Sequence, residues 1–152
     1  LNIQLEVRSI DGEVLQRQQL HNDVVRGGWN MWAALRASNG AYTFKINKML
    51  AGSGTRAVSV SDAALAAPWA GMSYITAGRA TRNATTLVHD YGILPNTQTG
   101  KYLAELGFYY DINTGSSPIV VPALYSRALV PSPFTVLADQ GVYISHIKGW
   151  TN

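Results

Sequence analysis

Strand-length runs of alternating polarity, separated by turn residues, recur along almost the whole sequence, and only one stretch has the spacing of an amphipathic helix. In the first run Leu1, Ile3, Leu5 and Val7 share one side, and Asn2, Gln4, Glu6 and Arg8 the other. That two-residue period is the pattern of a half-buried strand. Asp11-Gly12 follows, a pair that supplies the positive φ angles of a hairpin turn, and a return strand is predicted over 13–21. Tyr42, Phe44 and Ile46 alternate with Thr43, Lys45 and Asn47 in a third strand that runs on to Ala51. Further strands are predicted over 72–77, 82–91, 101–112, 119–129, 134–137 and 141–147. Gly, Pro, Asn and Asp clusters separate them, and 101–112 is apolar on both faces, as a central strand is.

The exception lies between the second and third strands. Val25, Trp29, Trp32 and Arg36 fall on one helical line, with Val24, Met31 and Leu35 beside it. A helix is predicted over 24–37, capped by Asn22 or Asp23 and ended by Ser38-Asn39-Gly40. Its two tryptophans are expected to pack against the sheet, and a second, single helical turn is expected from Ser61 or Asp62. Eight or nine strands with one helix predict an all-β fold, an antiparallel β-sandwich with one short helix in its N-terminal half. The 152 residues fit one domain, 1–152, long enough to bury a core without disulfide or metal staples.

Composition narrows the function classes. Charged residues are 14% of the chain, against about 25% in an ordinary soluble domain. Either the surface is Ser, Thr, Asn and Gln, or part of it is covered by partners. The net charge is +3, but Lys and Arg are scattered singly with no run to follow a phosphate backbone, so no nucleic-acid partner is expected. No apolar run approaches the ~18 residues of a membrane helix, and the alternating start is unlike a signal peptide, so no membrane association is expected.

Catalytic patterns are wanting. There is no cysteine, and His21, His89 and His146 stand far apart, in no metal-ligand spacing. No Gly-x-Ser-x-Gly elbow occurs, and the carboxylates are dispersed. Gly52-Ser53-Gly54-Thr55-Arg56 lacks the lysine and the long helix of a phosphate loop, and reads as a turn. Catalytic residues, cofactors and metals are therefore all expected to be none.

The order of short motifs is the remaining signal. Asn22-Asp23-Val24-Val25 leads into the helix; then come Gly52-Ser53-Gly54-Thr55, Ser61-Asp62-Ala63-Ala64-Leu65, Glu105-Leu106-Gly107-Phe108 and Ser126-Arg127-Ala128-Leu129. Over about 22–147 this order resembles a broad group of small virion proteins of tailed bacteriophages, found as head decoration or cement proteins and as tail-fibre or adaptor components. The resemblance implies a jelly-roll-like β-sandwich without enzymatic activity. With no heptad or collagen-like region, the expectation is a cement protein on the outer capsid surface of the virion, bound to the major capsid protein and to itself, as a dimer rather than a trimer. The alternative is a tail-fibre or receptor-binding module.

The candidate interface residues are Leu1, Ile3, Leu5 and Val7, on a strand expected at a sheet edge, and Trp69, in a loop with no strand or helix pattern to account for it. Trp69 has two readings: a cover for the rim of the sandwich, or an interface anchor. The loops 52–71 and 92–100 are expected to adapt to the partner.

Overall fold

The computed structural model describes residues 2–83, 86–113 and 122–149. Among these residues are nine strands and one helix: β1 (Asn2–Ser9), β2 (Val14–Val24), α1 (Arg26–Ala37), β3 (Thr43–Gly52), β4 (Ile75–Thr76), β5 (Arg79–Arg82), β6 (Thr86–Ile93), β7 (Tyr102–Asn113), β8 (Ala123–Thr135) and β9 (Gln140–Gly149). All pair antiparallel in one sheet of order β4-β3-β7-β8-β2-β1-β9-β6-β5, curled into a half-barrel. The all-β class and the single helix match the sequence patterns; the observed architecture is one curled sheet.

Curling follows from two features. β2 changes partner along its length: residues 16–21 pair with β1, and Asn22, Asp23 and Val24 pair with β8. At the far ends of the order, β4 and β5 are consecutive in the chain, separated by Ala77 and Gly78. Ala77 N–H donates to Asn47 O on β3, β4's partner strand, and Gly78 N–H donates to Asp90 O on β6. A single run, 75–82, thus ties one edge of the sheet to the other.

The inner faces of the two flanks meet in one core. Ile3, Leu5 and Val7 point inward from β1, opposite His146, Ile144 and Val142 of β9. Across the interior, Phe108 of β7 stacks on His146 at 4.0 Å and lies 5.5 Å from the Tyr91 ring of β6.

Several sequence expectations are corrected. The Asp11-Gly12 hairpin forms, but with Gly12 alone at positive φ (86°), after a turn closed by Gly12 N–H donating to Ser9 O. Asn22 does not cap α1; it is a buried residue of β2. The helix begins later, at Arg26, with no side-chain cap, because Tyr125 O and Val60 O accept from the Val25 and Arg26 N–H groups. Trp29 is 60% exposed, so the expectation of a buried Trp29 fails; Trp32, one turn further on, is half-buried. The strands expected over 119–129 and 134–137 are joined in β8, although its first expected residues, 119–121, lie outside the described ones. Pro131 and Pro133 are tolerated there because β2 pairs with β8 only at 126–128. Beyond that point the Gln18 side chain stands in for a strand, donating to Ser132 O and accepting from Ser132 N–H.

Four of the five motif pieces separated in sequence meet at one place. Arg127 on β8 is fully buried; its Nε donates to Glu105 Oε2 on β7 at 2.7 Å and its guanidinium donates to Asp62 Oδ2 at 2.9 Å. The same guanidinium donates to Arg56 O at 2.9 Å. Glu105 also accepts from the backbone N–H groups of Gly54, Ala66 and Ala67. Asp62 accepts from Ser59 N–H and Arg56, so 61–65 is a pinned loop and the helical turn expected there does not form. Burial pushes the Asp62 pKa up, but Ser59, Arg56 and Arg127 together hold it below the ordinary value. The glycines of Gly52-Ser53-Gly54 are required by close approach: a Cβ at Gly52 would lie 2.6 Å from Glu105 Oε1, and one at Gly54 would strike the same atom.

Replacing Arg127 by Met leaves the buried Glu105 carboxylate without its cation and Asp62 with Arg56 alone. Urea unfolding is expected to show a loss of about 3–5 kcal/mol, as for other broken buried ion pairs. Trp29→Ala, by contrast, is expected to stay within about 0.5 kcal/mol of the parent.

Candidate functional site

The structure separates the expected interface residues from the surface. Ile3 and Leu5 are fully buried and Val7 nearly so. β1 is no edge: it pairs with β2 on one side and β9 on the other. Its alternation points into the chain's own core, and the expectation of an exposed pairing strand is corrected. Leu1 lies outside the described residues. Trp69 is 6% exposed within the main core cluster, and its indole N–H donates to Tyr102 O at 2.9 Å. It covers the interior as the first of its two readings had it, and the anchor reading is corrected. The 52–71 loop is held by the Glu105–Arg127–Asp62 cluster rather than left free to adapt.

A different place has the form of a site. A cleft of about 930 Å³ opens between α1 and the sheet. Trp29, Met31, Trp32 and Leu35 come from the helix, Phe44 to Asn47 from β3, and Ala77 and Ala80 from the run that ties the edges. Val24, Leu87, His89, Tyr125 and Lys148 complete it. The helix is pressed against the sheet by contacts that only glycine allows: a Cβ at Gly28 would lie 2.5 Å from Tyr125 O. Tyr110 OH donates to Gly27 O at 3.1 Å and fixes the helix over the end of the half-barrel.

The polar groups of the cleft stand on the inner face of β9 and its neighbour. Inward alternation along β9 runs Val142, Ile144, His146, Lys148. Lys148 is 4% exposed; its Nζ donates to Ile46 O at 3.1 Å and lies 3.0 Å from His89 Nδ1. Among the described residues no carboxylate is within ion-pair distance of it. Burial pulls the Lys148 pKa down from 10.5 to about 7. Burial, and then the charge of Lys148, pull His89 down from 6.5 to about 4, so His89 is held neutral. His146 lies deeper, 2.9 Å from Asn22 Nδ2, and burial holds it well below its ordinary value. Asn22 Nδ2 also donates to Ser126 Oγ.

A buried amine without a counter-ion, walled by aromatic and aliphatic side chains, attracts an anion when protonated. Among the described residues no three His, Asp or Glu side chains gather as metal ligands would. Sequence reading missed this site because Lys148 and His89 are about sixty positions apart in no catalytic spacing; the available signal was the inward phase of His146 and Lys148 in an otherwise apolar row. Comparison of the chain with protein-family models, curated proteins and solved structures finds no match in any of the three.

Lys148 gives stability a definite pH dependence. Its folded pKa is depressed, so between about 7 and 10.5 the unfolded chain binds more protons and stability rises with pH. Burial raises Tyr91, and raises Tyr109 to about 12, which acts in the opposite sense above the ordinary tyrosine value of 10.0. Melting temperatures are therefore expected to climb from pH 7 toward pH ~9.5, and Lys148→Met to flatten that climb. Below 6.5, His89 makes stability fall as the pH falls toward about 4. Trp69→Ala is expected to destabilise the isolated domain by roughly 3–5 kcal/mol in urea unfolding, as loss of a buried aromatic does.

Proposed function

We propose that the chain is a non-enzymatic virion structural protein of a tailed bacteriophage, a cement protein that binds the outer capsid surface and strengthens contacts between major capsid protein subunits. The observation that carries this reading is the convergence of the motif pieces behind the resemblance. Gly52, Gly54, Asp62, Glu105 and Arg127 all belong to one buried cluster that builds the fold, so the shared pattern describes a frame and not a reaction centre. In this reading the curled sheet is a variant of the jelly-roll-like sandwich, its two flanks facing each other across the core.

The half-barrel end opposite α1 suits a protein partner. There the loops after β1, β6 and β8 expose Ile10, Leu94 and Leu137, at 65%, 61% and 52%. They are neighbours through the sheet: Ser9 pairs with Gln140, and Asn96 N–H donates to Ala138 O. Burying such apolar side chains at a subunit junction contributes about 25 cal/mol for each Å² removed from water. The dimer is assigned to this end, since the edges of the sheet, β4 and β5, are two and four residues long and tied together. A tail-fibre or receptor-binding module is the second reading, favoured by exposed Trp29 beside an open cleft.

The ratio of this chain to the major capsid protein in purified particles separates the two. Hundreds of copies per particle are expected for cement; a handful would move the chain to the tail. Leu137→Asp is expected to lower occupancy on particles while changing the stability of the isolated domain by less than about 0.5 kcal/mol. Full occupancy of that variant would remove this end from the interface.

A further inference from the structure

We propose that the cleft under α1 binds an amphipathic monocarboxylate, with its carboxylate on Lys148 and its alkyl chain running out between α1 and the walls formed by β3 and the 75–82 run. The inference is independent of where in a virion the chain sits. It rests on the contrast between the floor of the cleft and its walls.

At the floor, the Lys148 ammonium has three donors. One is directed at Ile46 O, and a second faces the neutral His89 ring, whose Nδ1 lies 3.0 Å away. The third is unassigned, and no carboxylate among the described residues answers the charge. The titratable groups nearby do not compete for a ligand: His89 and His146 are held neutral by burial, and Asp90 on the same strand as His89 accepts from Ser145 Oγ. A carboxylate supplies what this ammonium lacks, a single negative charge with acceptor lone pairs.

The walls select the rest of the ligand. Trp29, Trp32, Leu35 and Phe44 are apolar or aromatic, and among the described residues no second buried cation lines the cleft. A dianion such as a phosphate would leave one charge uncompensated at the floor. Lys45 stands exposed at the cleft wall, where it adds positive potential without entering the floor. The volume of about 930 Å³ is within the usual range of small-molecule sites, about 300–1,000 Å³.

Calorimetric titration with decanoate and with 1-decanol, each below its solubility or micelle limit, tests the charge and the walls separately. The chain is expected to bind decanoate saturably, one to one, and 1-decanol at least tenfold more weakly. Lys148→Met removes an unpaired buried charge, and is expected to bring decanoate down to the decanol level. Ala80→Trp, on the exposed strand β5, fills the cleft and is expected to abolish binding of both probes with the melting temperature unchanged. Equal affinity of the parent chain for decanoate and decanol overturns the proposal. So does the absence of saturable decanoate binding, or undiminished decanoate binding by either folded variant.

Discussion

The buried pairing of Arg127 with Glu105 and Asp62 is the constraint on which the rest of the molecule depends. Two cations and two anions, Arg56 and Arg127 with Asp62 and Glu105, balance inside or at the margin of the core. Burying charges is costly, and attraction offsets that cost only where the remaining lone pairs are satisfied. Here they are: Glu105 accepts three backbone N–H groups besides the guanidinium, and Asp62 accepts one besides two arginines. These bonds draw the long 53–68 segment across β7 and β8 and deliver Leu65 and Trp69 to the interior. A loop of that length without its own secondary structure is otherwise expensive to order.

The strands were largely legible because their evidence is local. Period-two alternation places 2–9, 43–52 and 102–113 within a residue or two of where a sequence reading draws them. What could not be read is partnership. The inward face of β1 looks the same on an edge strand as on a central one, and only the pairing of Leu5 with both Gln18 and Ile144 decides it. Glu105 and Arg127, as charges inside apolar strands, were visible anomalies; that they answer each other depends on β7 lying beside β8. The start of the helix was drawn two residues early for a related reason. Asn22 is a good cap by type, but a buried polar contact with Ser126 and His146 claims its side chain, and tertiary carbonyls satisfy the helix instead.

The two polar clusters of the interior are built on opposite principles. The Glu105 cluster is saturated: every charge has an opposite charge, and the backbone of a loop supplies further donors. The Lys148 cluster is open: one ammonium, one backbone carbonyl, a neutral imidazole, and a cleft on the remaining side. Fully answered networks specify a single structure, whereas a partly answered one leaves free energy available to whatever completes it. The same sheet thus carries a fully paired cluster near β7 and β8 and an open one where β6 and β9 face α1 across the cleft.

The adjacency of β1 and β9 has a mechanical consequence. These strands run antiparallel, so Asn2 and Ile147 are partners at the same end of the ladder. Tension applied between those two points would open the ladder one rung at a time, each hydrogen-bonded pair bearing the full load in turn. Force entering sideways, through the flanks of the half-barrel, would instead be shared by many rungs and by the ionic cluster behind them. A module built this way resists being squeezed or sheared between neighbours far better than being stretched from its first strand to its last.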